Sequence, residues 1–131
     1  MNDAATHLPP GAQLLGREWL GFDASGHALI RFQAQSAFTN RHGTIQGGFL
    51  AAMLDSATGI CALAALTPEL TAVTKSLDTR FLKPARVGAI TAKARVTERT
   101  DRDMIVQAEL VDAEGITVAD ATARLRIVAR R

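Results

Sequence analysis

From Gln46 to Leu66 the chain reads as one long helix, rich in Ala, Leu and Met and apolar nearly all round. A helix of that kind is buried on most of its sides rather than lying on a surface, so the rest of the chain must wrap it. Thr67-Pro68 ends it. Within it, Phe49 to Leu66 is apolar apart from Asp55, Ser56, Thr58 and Gly59, and barely reaches membrane-spanning length. An aspartate inside such a span would cost about 2.5–3.5 kcal/mol on insertion scales. The buried helix of a globular protein is the better reading, and no membrane partner is expected.

What wraps the helix is read from alternation. Residues 1–12, ending in Pro9-Pro10-Gly11, form an irregular lead-in, and residues 13–131 a single domain. Leu14 to Phe22 reads as a strand and Asp23-Ala24-Ser25-Gly26 as a turn. Ala28, Ile30, Phe32 and Ala34 alternate with Leu29, Arg31 and Gln33, giving a second strand and a hairpin. Residues 35–45 have no period and read as a loop. After the helix, Val73, Lys75, Leu77, Thr79 and Phe81 fall on one face of a strand, with Thr74, Ser76, Asp78 and Arg80 on the other. Pro84 and Gly88 break it. Ile90, Ala92, Ala94 and Val96 then alternate with polar residues, Met104 to Val111 follows, and Val118 to Val128 closes. In the last strand Ala119, Ala121, Ala123, Leu125 and Ile127 share a face whose small alanines suit close packing on a helix. Two strands, one buried helix and four strands joined by tight turns give an antiparallel sheet. The expected class is α+β: an antiparallel sheet wrapped around one long central helix, the hotdog fold.

Length and composition limit the function classes. A chain of 131 residues fits one compact domain, and 47% apolar with 21% charged residues argues against disorder. The single cysteine, Cys61, permits neither an internal disulfide nor a thiolate zinc cluster. Met1 to His7 has no basic start and no apolar run, so it does not read as a secretory signal, and a cytoplasmic location is expected. Net charge is only +2, yet Lys75, Arg80, Lys83, Arg86, Lys93, Arg95, Arg99 and Arg102 share a stretch with only Asp78, Glu98 and Asp101. Local excess of that kind attracts an anionic ligand, though most of these residues also fit solvated strand faces. With 5% aromatics and no Tyr, platforms for base stacking are scarce, and nucleic acid is not expected as a partner.

Chemistry concentrates in Asn40 to Asp55. Gly47 and Gly48 open the helix, where glycine lets a ligand approach the backbone and free N–H groups favour negative charge. That is what an oxyanion hole in acyl transfer requires. Asp55 is a carboxylate in an apolar helix, kept either for structure or for catalysis. Eight residues separate Gly47 from Asp55, about 12 Å at 1.5 Å per residue. An oxyanion donor and a nucleophile must both lie near the reacting atom, so one chain cannot supply both. A symmetric dimer with antiparallel helices would set the glycines of one chain against the aspartate of the other.

The run Asn40, Gly43-Thr44, Gly47-Gly48 and Asp55 resembles the helix start of hotdog-fold acyl-CoA thioesterases, of the phenylacetate-pathway and 4-hydroxybenzoyl-CoA type. The resemblance continues through Ser76-Leu77-Asp78 and Phe81-Leu82-Lys83-Pro84-Ala85-Arg86-Val87-Gly88, and covers roughly residues 13–128. It implies hydrolysis of an acyl-CoA thioester. Asp55 would be nucleophile or general base, and the Gly47 N–H the oxyanion donor beside Gly48. Asn40 would orient the carboxylate or the attacking water, and Ser76 would position water. Lys83 and Arg86 would meet the CoA phosphates. No metal or cofactor is implied beyond CoA as part of the substrate, and a homodimer or a homotetramer built as a dimer of dimers is expected. Where the family commonly carries His before Gly-Gly, this chain has Gln46, which can hydrogen-bond a carbonyl or thiol but carries no proton at neutral pH. His42, four residues earlier, is in the wrong register for that role but could line the site.

Two further readings share the fold. One is a non-catalytic module that binds acyl-CoA or only dimerises, which Gln46 favours and Asp55 opposes. The other is an enoyl-thioester hydratase or dehydratase, which needs an acid–base pair such as Asp with His. Cys61 reads as an inert core thiol, and Trp19 as a packing residue.

Overall fold

The structure, a computed structural model, describes residues 6–130. In chain order it has α1 (Pro10–Leu14), β1 (Glu18–Phe22), β2 (Ala28–Ala34), α2 (Gly47–Ala64), β3 (Leu70–Phe81), β4 (Gly88–Arg99), β5 (Asp103–Val111) and β6 (Thr117–Ala129). The six strands form one antiparallel sheet in the order β1-β2-β4-β5-β6-β3. Helix α2 packs across β3, β4, β5 and β6. This is the hotdog arrangement expected from the sequence.

The core follows from the alternation. Ile30 and Phe32 of β2, Ile90, Ala92 and Ala94 of β4, Met104, Val106 and Leu110 of β5, and Ala119, Ala123 and Leu125 of β6 are buried facing α2. From the helix, Leu50, Met53, Leu54, Ala57, Ile60 and Cys61 close the same core. The alanines of β6 leave no bulk between backbone and helix, which lets α2 settle deeply into the sheet. By length and hydropathy α2 could also cross a membrane. Its buried stripe is instead spent on the sheet.

Three details differ from the sequence reading. Pro10 to Leu14 is a helical turn rather than lead-in or strand, and β1 begins only at Glu18. Pro9 and Pro10 stand at the N-cap and first helical positions, where a fixed φ favours a helix start and the missing N–H costs nothing. The part of the lead-in before residue 6 lies outside the described residues. In β3 the register shifts between Thr74 and Ser76, so Lys75 is the extra residue of a bulge. The bulge advances the alternation by one, and Val73 and Lys75 are exposed rather than sharing a face with Leu77. Third, α2 is not covered on all sides. One sheet layer buries one side of it, and Gly48 and Asp55 are exposed on the other.

The two sheet edges are unlike. β1 is five residues long, shifts register between Trp19 and Gly21, and has Gly21 at φ +90°. Such an edge resists further pairing. β3 offers twelve residues.

Candidate active site

The site begins with the loop that delivers the chain to α2. Thr39 and Ile45 form an antiparallel bridge, and the Asn40 N–H donates to the Thr44 carbonyl at 2.8 Å. Inside this loop the Asn40 Oδ1 accepts from the N–H of His42 at 2.9 Å and of Thr44 at 3.3 Å. Gly43 sits at φ +79°, where a side chain would be strained. Asn40 therefore holds the loop's shape. The loop is fixed to the molecule by the Ile45 N–H on the Ala85 carbonyl (2.8 Å) and the Gln46 N–H on that of Phe38 (2.9 Å).

Gln46 is the N-cap of α2, and its side chain makes no capping bond. Its carbonyl accepts from the N–H groups of Phe49 at 2.9 Å and Leu50 at 3.4 Å. The first two N–H groups, those of Gly47 and Gly48, have no acceptor among the described residues. They are the orphan donors of a helix start, with the helix dipole behind them. A Cβ on Gly47 would lie 3.2 Å from Cζ of Phe81, whereas at Gly48 nothing lies within 4 Å. Beside Gly47 runs a groove of about 410 Å³ lined by Asn40, Thr44, Leu50, Phe81, Leu82 and Lys83, among others.

Asp55 is exposed on the open side of α2, so the burial expected from its apolar surroundings is not found within one chain. Its carboxylate has no hydrogen-bond or ion-pair partner among the described residues. Next to it, the Ser56 hydroxyl accepts from Nη1 of Arg17 at 3.0 Å. Arg17 also donates from Nη2 to the His7 carbonyl at 2.8 Å, tying the N-terminal stretch to α2. Its Nε–H is buried without an acceptor, and burial pulls the guanidinium below its ordinary pKa.

The remaining predicted residues scatter. Ser76 is exposed on β3, opposite Arg124, on the sheet face turned away from α2. One chain therefore does not bring Ser76 to its own Asp55. Gln46, His42, Lys83 and Arg86 are exposed around the loops, and of these Lys83 lines the groove. Cys61 is buried, and burial pushes its thiol up to about 11, away from nucleophilic use. The structure thus joins Asn40, Gly47 and Lys83 around one groove and leaves Asp55 along the same helix. Phe81 and Leu50 are walls the sequence reading did not assign to the site. An exposed aromatic ending a strand beside a Lys-Pro turn was the available signal for Phe81.

Comparison with known proteins identifies the fold and the family. The chain is 29% identical over 90 residues to a Saccharolobus solfataricus protein named as an esterase, covering 69% of this chain. It spans 64% of that relative's length. A phenylacetic acid degradation-related protein of Ralstonia eutropha superposes with a TM-score of 0.88 at 32% identity, over 95% of this chain and 96% of that one. The PaaI protein of the E. coli phenylacetic acid degradation operon shares the fold with a TM-score of 0.82 at 24% identity, over 95% and 88%. The family model of the thioesterase superfamily matches residues 42–119, from the loop before α2 to the first half of β6, and the chain belongs to that superfamily.

Proposed function

We propose that this protein hydrolyses an acyl-CoA thioester in a site shared between two copies of the chain. The observation that carries the reading is the pair of N–H groups at Gly47 and Gly48, on the same helix as the carboxylate of Asp55 and like it without a partner among the described residues, in a chain of the thioesterase superfamily. In this reading the Gly47 N–H donates a hydrogen bond to the thioester oxygen as negative charge develops on it. Asp55 of the other copy either attacks the carbonyl carbon, giving an anhydride that water then opens, or takes a proton from the water that attacks. Along either course the C–S bond breaks, an oxygen of water ends in the acid, and the CoA sulfur leaves with a proton. Gln46 can donate a hydrogen bond to the sulfur or the carbonyl.

Three features support two copies. β3 leaves an open edge while β1 is blunted. The open side of α2 carries small residues, Gly48, Ala51, Ala52 and Gly59, against which a second helix could lie closely. Eight residues along α2 also keep Gly47 from its own Asp55. For the CoA phosphates, Lys83 lines the groove with Asn40 and Thr44, Arg86 follows Ala85, whose carbonyl holds Ile45, and no acid occurs between Asp23 and Asp55 or between Asp78 and Glu98.

The test is thiol release from phenylacetyl-, benzoyl-, hexanoyl- and decanoyl-CoA by the wild type and by Asp55→Ala, with mass measured alongside. Hydrolysis by the wild type, lost in an Asp55→Ala protein of unchanged mass, is expected. A wild type that binds these thioesters but turns none over would instead establish a binding module.

A further inference from the structure

Phe81 ends the edge strand, paired with Ala119, and the next two N–H groups, of Leu82 and Lys83, both donate to the Val118 carbonyl at 2.9 and 3.2 Å. The backbone that carries the ring is therefore pinned. Phe81 is 56% exposed, yet its ring borders the place a side chain on Gly47 would take: a Cβ there would stand 3.2 Å from Cζ and 3.3 Å from Cε1. In a helix the Cα–Cβ bonds tilt toward the N-terminus, the direction in which the free N–H groups also point. A ring on the Cβ side of Gly47 thus borders the space its N–H faces.

This has a consequence that rests on the reading of Gly47 as oxyanion donor. A thioester oxygen accepting from Gly47 at about 2.9 Å sets its carbonyl carbon, and the carbon bonded to it, next to the ring. On that side the groove is walled by Phe81, Leu50 and Leu82. A ring at this wall crowds a second substituent on that carbon more than it crowds a methylene. We infer that Phe81 is a specificity-determining residue restricting the site to acyl groups unbranched at the carbon next to the thioester.

The experiment compares kcat/KM for hexanoyl-CoA and 2-methylhexanoyl-CoA in the wild type, Phe81→Leu and Phe81→Ala, with mass and folding checked for each. The wild type should prefer the unbranched thioester by about tenfold or more, the discrimination a single methyl supports in a tight apolar site. The preference should shrink in Phe81→Leu and fall to about threefold or less in Phe81→Ala. A wild type without preference, or one preserved in both variants, overturns the inference while leaving hydrolysis established. So does an equal loss on both substrates, or a change of mass, since Phe81 would then serve packing or the interface. Absence of all hydrolysis in the wild type removes the proposed function itself, and the inference with it.

Discussion

The ring of Phe81 lies so close to Gly47 that a Cβ there would stand 3.2 Å from Cζ, while Gly48, the next residue, has open space in the same test. The two glycines are therefore kept for different physical reasons. At Gly47 a neighbouring side chain fills the place of a Cβ. At Gly48 only a ligand or a second chain could.

Alanine substitution should separate them. Gly48→Ala gains helix propensity, up to about 1 kcal/mol, and should leave stability equal or improved. Gly47→Ala must first move the ring by a few tenths of an ångström, which cancels part of that gain. A double-mutant cycle with Phe81→Ala, read by urea denaturation, should show coupling for Gly47→Ala. For Gly48→Ala it should be additive to about 0.5 kcal/mol. Additivity at both positions would mean that the ring does not constrain Gly47.

Asn40 illustrates a structural role for a residue the family resemblance placed in catalysis. Its Oδ1 accepts from the N–H groups of His42 and Thr44, closing the loop that leads into α2. Asn40→Ala leaves both without that acceptor and should cost about 1–2 kcal/mol. Asn40→Asp keeps the oxygen and should recover most of it. Equal losses in thermal melts of the two variants would count against the loop role and for a need for the amide itself.

The sequence carried the fold because both periods were clean: an apolar helix and strands such as β6, whose inward face is Ala119, Ala121, Ala123, Leu125 and Ile127. It failed where a local rule has two outcomes. Pro9-Pro10 can break structure or start a helix, and here it starts one. A bulge residue such as Lys75 has no composition of its own, so alternation alone puts Val73 on the face of Leu77. An apolar helix predicts a buried Asp55, but apolarity states what a face prefers and not whether this chain supplies a cover. Phe81 is not legible as a site wall because its approach to Gly47 joins elements far apart in sequence.

That exposure makes Asp55 a clean test. Its carboxylate is exposed and has no partner among the described residues. Asp55→Asn should therefore change the stability of a single chain by no more than about 0.5 kcal/mol, while hydrolysis falls about 10²–10⁴-fold. Denaturation and thiol-release assays on the same preparation check both. A large stability loss with proportionate activity loss would mark Asp55 as a structural tie between copies.

Cys61 gives a signal on the alkaline side. Burial raises its thiol to about 11, above its unfolded value near 8.5. The folded state holds this proton longer than the unfolded state. Its contribution to stability is therefore complete below about pH 8.5 and is lost as pH rises toward 11. Cys61→Ala should lower stability at neutral pH through lost packing but flatten its decline across that window. Native protein at pH 8 should also react with a disulfide reagent far more slowly than urea-unfolded protein. Equal rates would show that the thiol is reachable in the fold.

The basic loops predict which part of the substrate they hold. Lys83 lines the groove and Arg86 follows it, with no carboxylate in their stretch of chain and no ion pair to either among the described residues. Lys83→Ala with Arg86→Ala should raise KM for an acyl-CoA, with kcat little changed, because the phosphates are remote from the reacting carbonyl. The N-acetylcysteamine thioester of the same acid lacks phosphates and should show no such change. Salt should weaken CoA binding to the wild type more than to the double variant, since exposed charges are screened over about 10 Å at 0.1 M. If KM rose equally for both thioesters, the two residues would be shaping the groove through Pro84 and Ala85 rather than meeting phosphate.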